Sequence, residues 1–141
     1  MDRKIVIIAD RRLNGVSDMR EILFKAKRLD NGEWVEGDLL HTRHADVVLI
    51  SDFKDQLFRC DGNTLCQYTG LTDKNGKKIW ENDIVRNEKG DIGVVQWFEE
   101  HAAFMIWNKT KHYVCYLAEN DFSKIEIAGN IFDNAELLEV K

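Results

Sequence analysis

Proline is absent from all 141 residues, where an average chain carries about 5%. Its absence excludes stiff polyproline linkers between separately folded parts and favours one compact unit. Cysteine is scarce and odd in number, with Cys60, Cys66 and Cys115. Without a secretory-type opening, those residues read as reduced thiols in a cytoplasm rather than as a disulfide framework. No apolar run approaches the length of a bilayer span, so no membrane partner is expected. A basic surplus is missing too. Twenty Lys and Arg face 25 Asp and Glu, a net charge of −5, which opposes nonspecific binding to phosphate backbones and suits a partner with a basic face. Long stretches of 3.6-residue periodicity are lacking, so little helix is expected. Ser17, Ser51 and Ser123 lie in no nucleophile-elbow context, and Gly70, Gly76, Gly90 and Gly93 are scattered through turns rather than spaced to cradle phosphate. No cofactor is implied.

What is present is a succession of short β-branched and aromatic runs separated by Asn, Asp and Gly. Residues 22–27 and 34–40 read as strands around an Asp30-Asn31-Gly32 turn, and residues 47–50 as a buried strand. Residues 57–60 and 64–68 read as a further hairpin around Asp61-Gly62-Asn63. Asn75-Gly76 predicts a two-residue type I′ turn, since those residues most readily take positive φ. The Asn31-Gly32 segment echoes it, as the same hairpin device used twice. Asn87-Glu88-Lys89-Gly90 is another turn, leading into a strand over 92–98 in which Gly93 marks a bulge or a close approach of backbones. Strands follow over 103–107 and 112–117, then a closing strand over 125–131 kinked at Gly129. Asn134 is placed to cap one helical turn over 135–138. The pattern predicts a mainly β fold, a small barrel-like meander that is SH3-like in its second half, with an N-terminal hairpin extension and one short C-terminal helical turn.

Three motifs in order carry a family likeness: YTGLTDKNGKKIWENDIV, then DIGVVQW, then IEIAGNIFDNAELLE. The chain resembles the YopX-like family of small phage and prophage proteins over about residues 19–140. Where the family pattern has Glu-Gly-Asp, this chain has Glu81-Asn82-Asp83, and asparagine is the next-best residue for a left-handed backbone, so the turn survives. Where the pattern opens the last helical turn with proline, this chain has Ala135. The resemblance implies a mainly β fold, a phage or prophage setting and hence the cytoplasm of a bacterial host, and no established activity. It sets residues 19–141 as one domain, with a hairpin lobe over 19–66 and a barrel-like lobe over 67–141. Residues 1–18 lie outside the likeness and read as a non-native or extended leader, an expectation that intact mass of the native protein tests.

The chemistry-bearing residues form no assembled reactive constellation, so the function expected is a non-catalytic binding or interaction module, and catalysis is not the favoured reading. Trp80, Arg86, Trp107, Lys109, Lys111 and His112 are the candidate binding residues. Exposed rings beside cations suit a peptide or single-stranded nucleic acid, although most rings must be core. Trp80 and Trp107 are the two expected to be partly exposed. Glu81, Asp83 and Asp91 are the carboxylates a small hydrolase or nuclease would use. The His41-x-x-His44 pair with Cys60 and Cys66 lacks zinc-ligand spacing, so no metal is assigned. The partner expected is an unidentified protein or a second copy, with nucleic acid disfavoured by charge.

Overall fold

The computed structural model describes residues 20–44, 46–108 and 113–139; the leader segment, and Lys109, Lys111 and His112, lie outside them. Within the described residues, Asx-led reversals recur with one chemistry. In residues 52–56, 73–77 and 87–91 the first side chain, Asp52, Asp73 or Asn87, accepts hydrogen bonds from the backbone N–H groups two and four residues on, all at 2.9–3.0 Å. The fourth residue of each, Asp55, Gly76 or Gly90, is left-handed, with φ of 61°, 77° and 82°. A short acceptor that holds two N–H groups pre-shapes the turn, and the left-handed position reverses the chain.

These reversals correct the expected two-residue type I′ turn at Asn75-Gly76. Only Gly76 has positive φ, because the Asp73 carboxylate outcompetes the tighter turn for the amides of Asn75 and Lys77. The device is therefore a five-residue Asx loop used three times, and the Asn31-Gly32 turn closes differently, with Gly32 N–H on Arg28 O and Arg28 N–H on Glu33 O.

Among the described residues eleven strands result: β1 (Phe24–Lys27), β2 (Trp34–His41), β3 (Val47–Ser51), β4 (Leu57–Asp61), β5 (Cys66–Thr72), β6 (Lys78–Trp80), β7 (Asp83–Arg86), β8 (Ile92–Phe98), β9 (Ala103–Asn108), β10 (Tyr113–Tyr116) and β11 (Glu126–Asn130). All the helical pieces described are short 3-10 turns, including Ala135–Leu138. The protein is mainly β. Its strands form two antiparallel sheets, ordered β4-β3-β2-β1-β5-β6 and β10-β9-β8-β7-β11. Among the described residues no closed barrel forms. The second half does not close on itself because β5 and β6 stay in the first sheet, and β11 returns to β7 rather than to β10.

The expected hairpin between residues 57–60 and 64–68 is not made. β4 pairs with β3, β5 pairs with β1 and β6, and a 3-10 turn over Gly62–Thr64 carries the chain between them. β4 instead curls towards the end of β1, through an Arg28–Cys60 bridge and a Leu29 N–H bond to Arg59 O at 3.0 Å. Gly93 is a close approach, not a bulge: a Cβ there would lie 2.4 Å from Ile106 Cγ2. Gly129 is the kink expected, at a register shift between β11 and β7. Asn134 precedes the last 3-10 turn, but its side chain accepts from Asn130 N–H at 3.1 Å instead of capping it.

Three apolar clusters hold the sheets. Ala26, Val48, Ile50 and Cys60 fill the curl of the first sheet, and Ile79, Val85, Val95, Ile106, Leu117 and Ile125 lie under the second. Leu23, Cys66, Tyr68 and Trp80 form a third, with Trp34 and Phe132 packed against it. β6 runs between two of these clusters, so Ile79 and its neighbour Trp80 are both buried although they point to opposite sides.

A groove where the two sheets meet

The turn from β6 to β7 hands the chain from one sheet to the other. Asn82 takes φ of 72°, as expected of the Glu-Asn-Asp variant. Glu81 N–H binds Gln67 O in the first sheet at 2.9 Å and Asn82 N–H binds Val95 O in the second at 2.7 Å. The Glu81 carboxylate accepts from Gln67 N–H at 3.2 Å, and Asn82 O accepts from Ile131 N–H at 3.0 Å. Burial pushes the Glu81 carboxyl up, opposed by the Gln67 amide.

Beside this turn opens a groove of about 430 Å³, lined by Lys25 and Glu36 of β1 and β2, Gly76, Lys77 and Lys78 of the β5–β6 reversal, Trp80, Asp83, and Ile127, Gly129 and Asn130. Asp83 is 3% exposed. Its Oδ2 accepts from Trp80 N–H at 2.8 Å. Burial, eased by that amide and by Lys25, pushes its carboxyl up to about 6. Lys25 Nζ stands 4.5 Å from the centre of the Trp34 ring and 5.0 Å from that of Trp80, a cation–π position over both. Nearby Asp73 behaves oppositely. Burial raises it, but N–H groups of Ile127, Lys77 and Asn75 outweigh this and hold it below its usual range.

With that geometry in place, the comparison with known families is decisive. The YopX protein family model matches residues 23–139. The chain belongs to the YopX family. A crystal structure of the YopX protein from Bacillus subtilis is similar in fold, with a TM-score of 0.52 at 18% identity, covering 86% of this chain and 100% of that one. A search of the curated proteins finds no match.

In this YopX-family chain the sequence-predicted residues separate. Trp80 is buried, at 5% exposed, which corrects its expected exposure, because β6 lies between two apolar clusters. Trp107 is half-buried, as expected. Arg86 reaches Glu126 at 3.4 Å. Asp83 lies in the groove described, whereas Asp91 lines a different depression with Asn87, Glu88, Lys89, Asn120, Asp121, Lys124 and Ile125. Glu81 is turned to the β5 amide. The three carboxylates therefore do not converge. His41 and His44 are exposed, whereas Cys60 and Cys66 are buried in separate clusters, with the Cys66 thiol pushed up to about 11 by burial. Among the described residues no three His, Cys, Asp or Glu side chains gather as a metal site, and no helix is long and apolar enough to cross a membrane.

Sequence reasoning missed the apolar side chains that the end strand β10 leaves exposed. Antiparallel register places Val94, Trp107 and Val114 in one row and Gln96, Met105 and Tyr116 in the next, all opposite the face that carries Val95 and Ile106; Val94 and Met105 are each 3% exposed, so this face is covered over β8 and β9 and opens only at β10. Val114 is 43% and Tyr116 38% exposed. Tyr116 Oη meets His101 Nδ1 at 3.3 Å, and the Phe98 ring lies 6.4 Å from His101. At the same end, Trp97 is 46% exposed and packs edge-on against Phe104 at 5.1 Å, on the inner face. The alternation of Val114 and Tyr116 with Cys115 was the available signal, but single-strand alternation does not say which face is covered.

Proposed function

We infer that the chain is a non-catalytic binding module, acting in a bacterial cytoplasm in a phage or prophage setting, whose partner is a protein met on the exposed side of the end strand β10. The observation that carries this reading is the exposure of Val114 and Tyr116 on the end strand of the second sheet. Large apolar side chains grouped on a sheet face mark interaction surfaces, and aromatic anchors supply most of their affinity. Exposed Glu99, Glu100 and Glu119 flank the patch, and with the net charge of −5 they favour a partner with apolar side chains inside a basic rim. The separation of Glu81, Asp83 and Asp91 supports binding over hydrolysis. Nucleic acid as the ligand of Lys109, Lys111 and His112 is the weaker reading, because the overall charge opposes it.

The test is the paired substitution Val114→Lys and Tyr116→Lys, both exposed and hence tolerated by the fold. Affinity capture from host cells should lose the specific partner with this variant while its circular dichroism stays unchanged, a loss of about thirtyfold or more for a central anchor. Light scattering on the purified chain separates a foreign partner from a second copy. Unchanged capture by the lysine variant would remove this side of β10 from consideration.

A further inference from the structure

Each sheet ends in two outer edges, and among the described residues the chain closes three of the four. β4 is met by the end of β1, through the Arg28–Cys60 bridge and the Leu29 N–H bond to Arg59 O. β11 is met by the Asp73 reversal, where Lys74 N–H binds Ile125 O at 2.9 Å and the Asp73 carboxylate takes the Ile127 N–H at 3.0 Å. β6 has three residues, and its Trp80 N–H is held by Asp83. Only β10 lacks such cover among the described residues, pairing with β9 and with no strand beyond it. Native folds blunt or cover their edges, so an open one is a template for another strand.

Backbone alternation fixes what this edge offers. Val95 O accepts from Asn82 N–H on the β7 side, so odd residues of β8 turn their backbone groups towards β7 and even residues towards β9. Carried across the register, Ile106 and Cys115 face each other as a hydrogen-bonded pair, and Val114 and Tyr116 turn their N–H and C=O outward. The Asn120 side-chain amide donates to Tyr116 O at 3.0 Å and stops the edge there. Val114 N–H, Val114 O and Tyr116 N–H stay open, on the same two residues whose side chains are exposed. A folded face would cover those side chains and leave the three backbone groups unpaired, whereas an extended chain satisfies both. Exposed Glu99, Glu100 and Glu119 stand at the Tyr116 end, because the β8–β9 reversal and the turn after β10 share that end of the sheet. We propose that β10 takes an extended basic segment of another protein as an added strand, its apolar side chains beside Val114 and Tyr116 and its Lys or Arg side chains towards the three glutamates. This rests on the binding-module reading and specifies its partner. A second copy, with a net charge of −5, would bring the wrong sign.

The probe is the blocked peptide acetyl-Lys-Val-Lys-Val-Lys-Val-Lys-amide, since main-chain pairing tolerates sequence. Titrated into the full chain and followed by NMR, it should bind saturably. At saturation, amide exchange at Val114 and Tyr116 should slow by about tenfold or more, while Cys115, already bonded to β9, keeps its rate. The same peptide with Glu in place of Lys should bind at least about tenfold more weakly. Val114→Pro removes one edge N–H without touching the ladder to β9, and should weaken the probe by about tenfold or more, whereas Val114→Ala, which keeps the N–H, costs less. The proposal is overturned if the probe does not bind, if exchange at Val114 and Tyr116 is unchanged when it is bound, or if Val114→Pro costs no more than Val114→Ala. In capture from host cells, loss of the partner with the paired lysine variant but not with Val114→Pro would overturn strand addition and leave the binding module standing. Retention with both would remove the surface itself. A mass that doubles in light scattering, and reverts with Val114→Pro, would give the edge to a second copy and overturn the basic partner.

Discussion

Asp73 and Asp83 are buried close together and titrate in opposite directions because their amide partners differ in number. Asp73 accepts from three backbone N–H groups, those of Asn75, Lys77 and Ile127, and these outweigh its burial. Asp83 accepts from one, and burial wins, lifting it to about 6. A carboxyl whose folded pKa lies above its unfolded value binds an extra proton in the fold, so its contribution to stability is fully present at low pH and is lost as pH rises from the unfolded value through about 6. Asp83→Asn removes this penalty. In denaturant titrations the variant should gain roughly 1–3 kcal/mol over the parent at neutral pH and show no gain below about pH 4. A variant equally or less stable at neutral pH would mean that Asp83 is better solvated than its burial implies. The left-handed Asn82 between these acids was legible in the sequence from residue type alone. The burial of Trp80 was not, because alternation assigns faces to a strand but cannot show that both faces are covered.

Reversals built on one side chain explain why strand boundaries were readable while pairings were not. Asp52, Asp73 and Asn87 write each turn locally, and their Asx–Gly chemistry stands in the sequence. Which strand a segment then meets depends on contacts far along the chain: β5 joins β1, and β4 is left at the edge. The same loop also has different weights in different places. The Asp73 carboxylate reaches beyond its own loop to Ile127, 54 residues away, whereas Asp52 serves only its own exposed turn. Asp73→Ala should therefore cost about 3 kcal/mol or more, since buried amides lose their acceptor. Asp52→Ala should cost about 1 kcal/mol or less, because water replaces it. Chemical denaturation of the two single variants decides this, and equal losses would refute the distinction.

The two sheets are tied by a clasp that the sequence did not reveal. Asp133, in the segment after β11, accepts from the Trp34 indole N–H at 2.8 Å and bonds Lys27, and Phe132 packs on Trp34 at 5.9 Å. These partners are 99 and 106 residues apart, so no local pattern could announce them. The ammonium of Lys27, with the Trp34 indole, holds the Asp133 carboxyl down at about 2. Its stabilisation is thus present above the ordinary carboxylate range and lost as pH falls through about 2, though its partial exposure keeps the effect small. Phe132→Ala should lower stability by about 2–3 kcal/mol, the loss of a partly buried ring, and unfolding should stay a single transition. Two resolved transitions would show that the sheets fold independently.

The Asp52 loop has a consequence for building on this scaffold. It is closed by its own first residue and bears Phe53 at 75% exposure. A foreign epitope or reporter spliced between Phe53 and Lys54 would ride outside the folded body. The sister loop at Asp73, tied to β11, would not tolerate such a passenger.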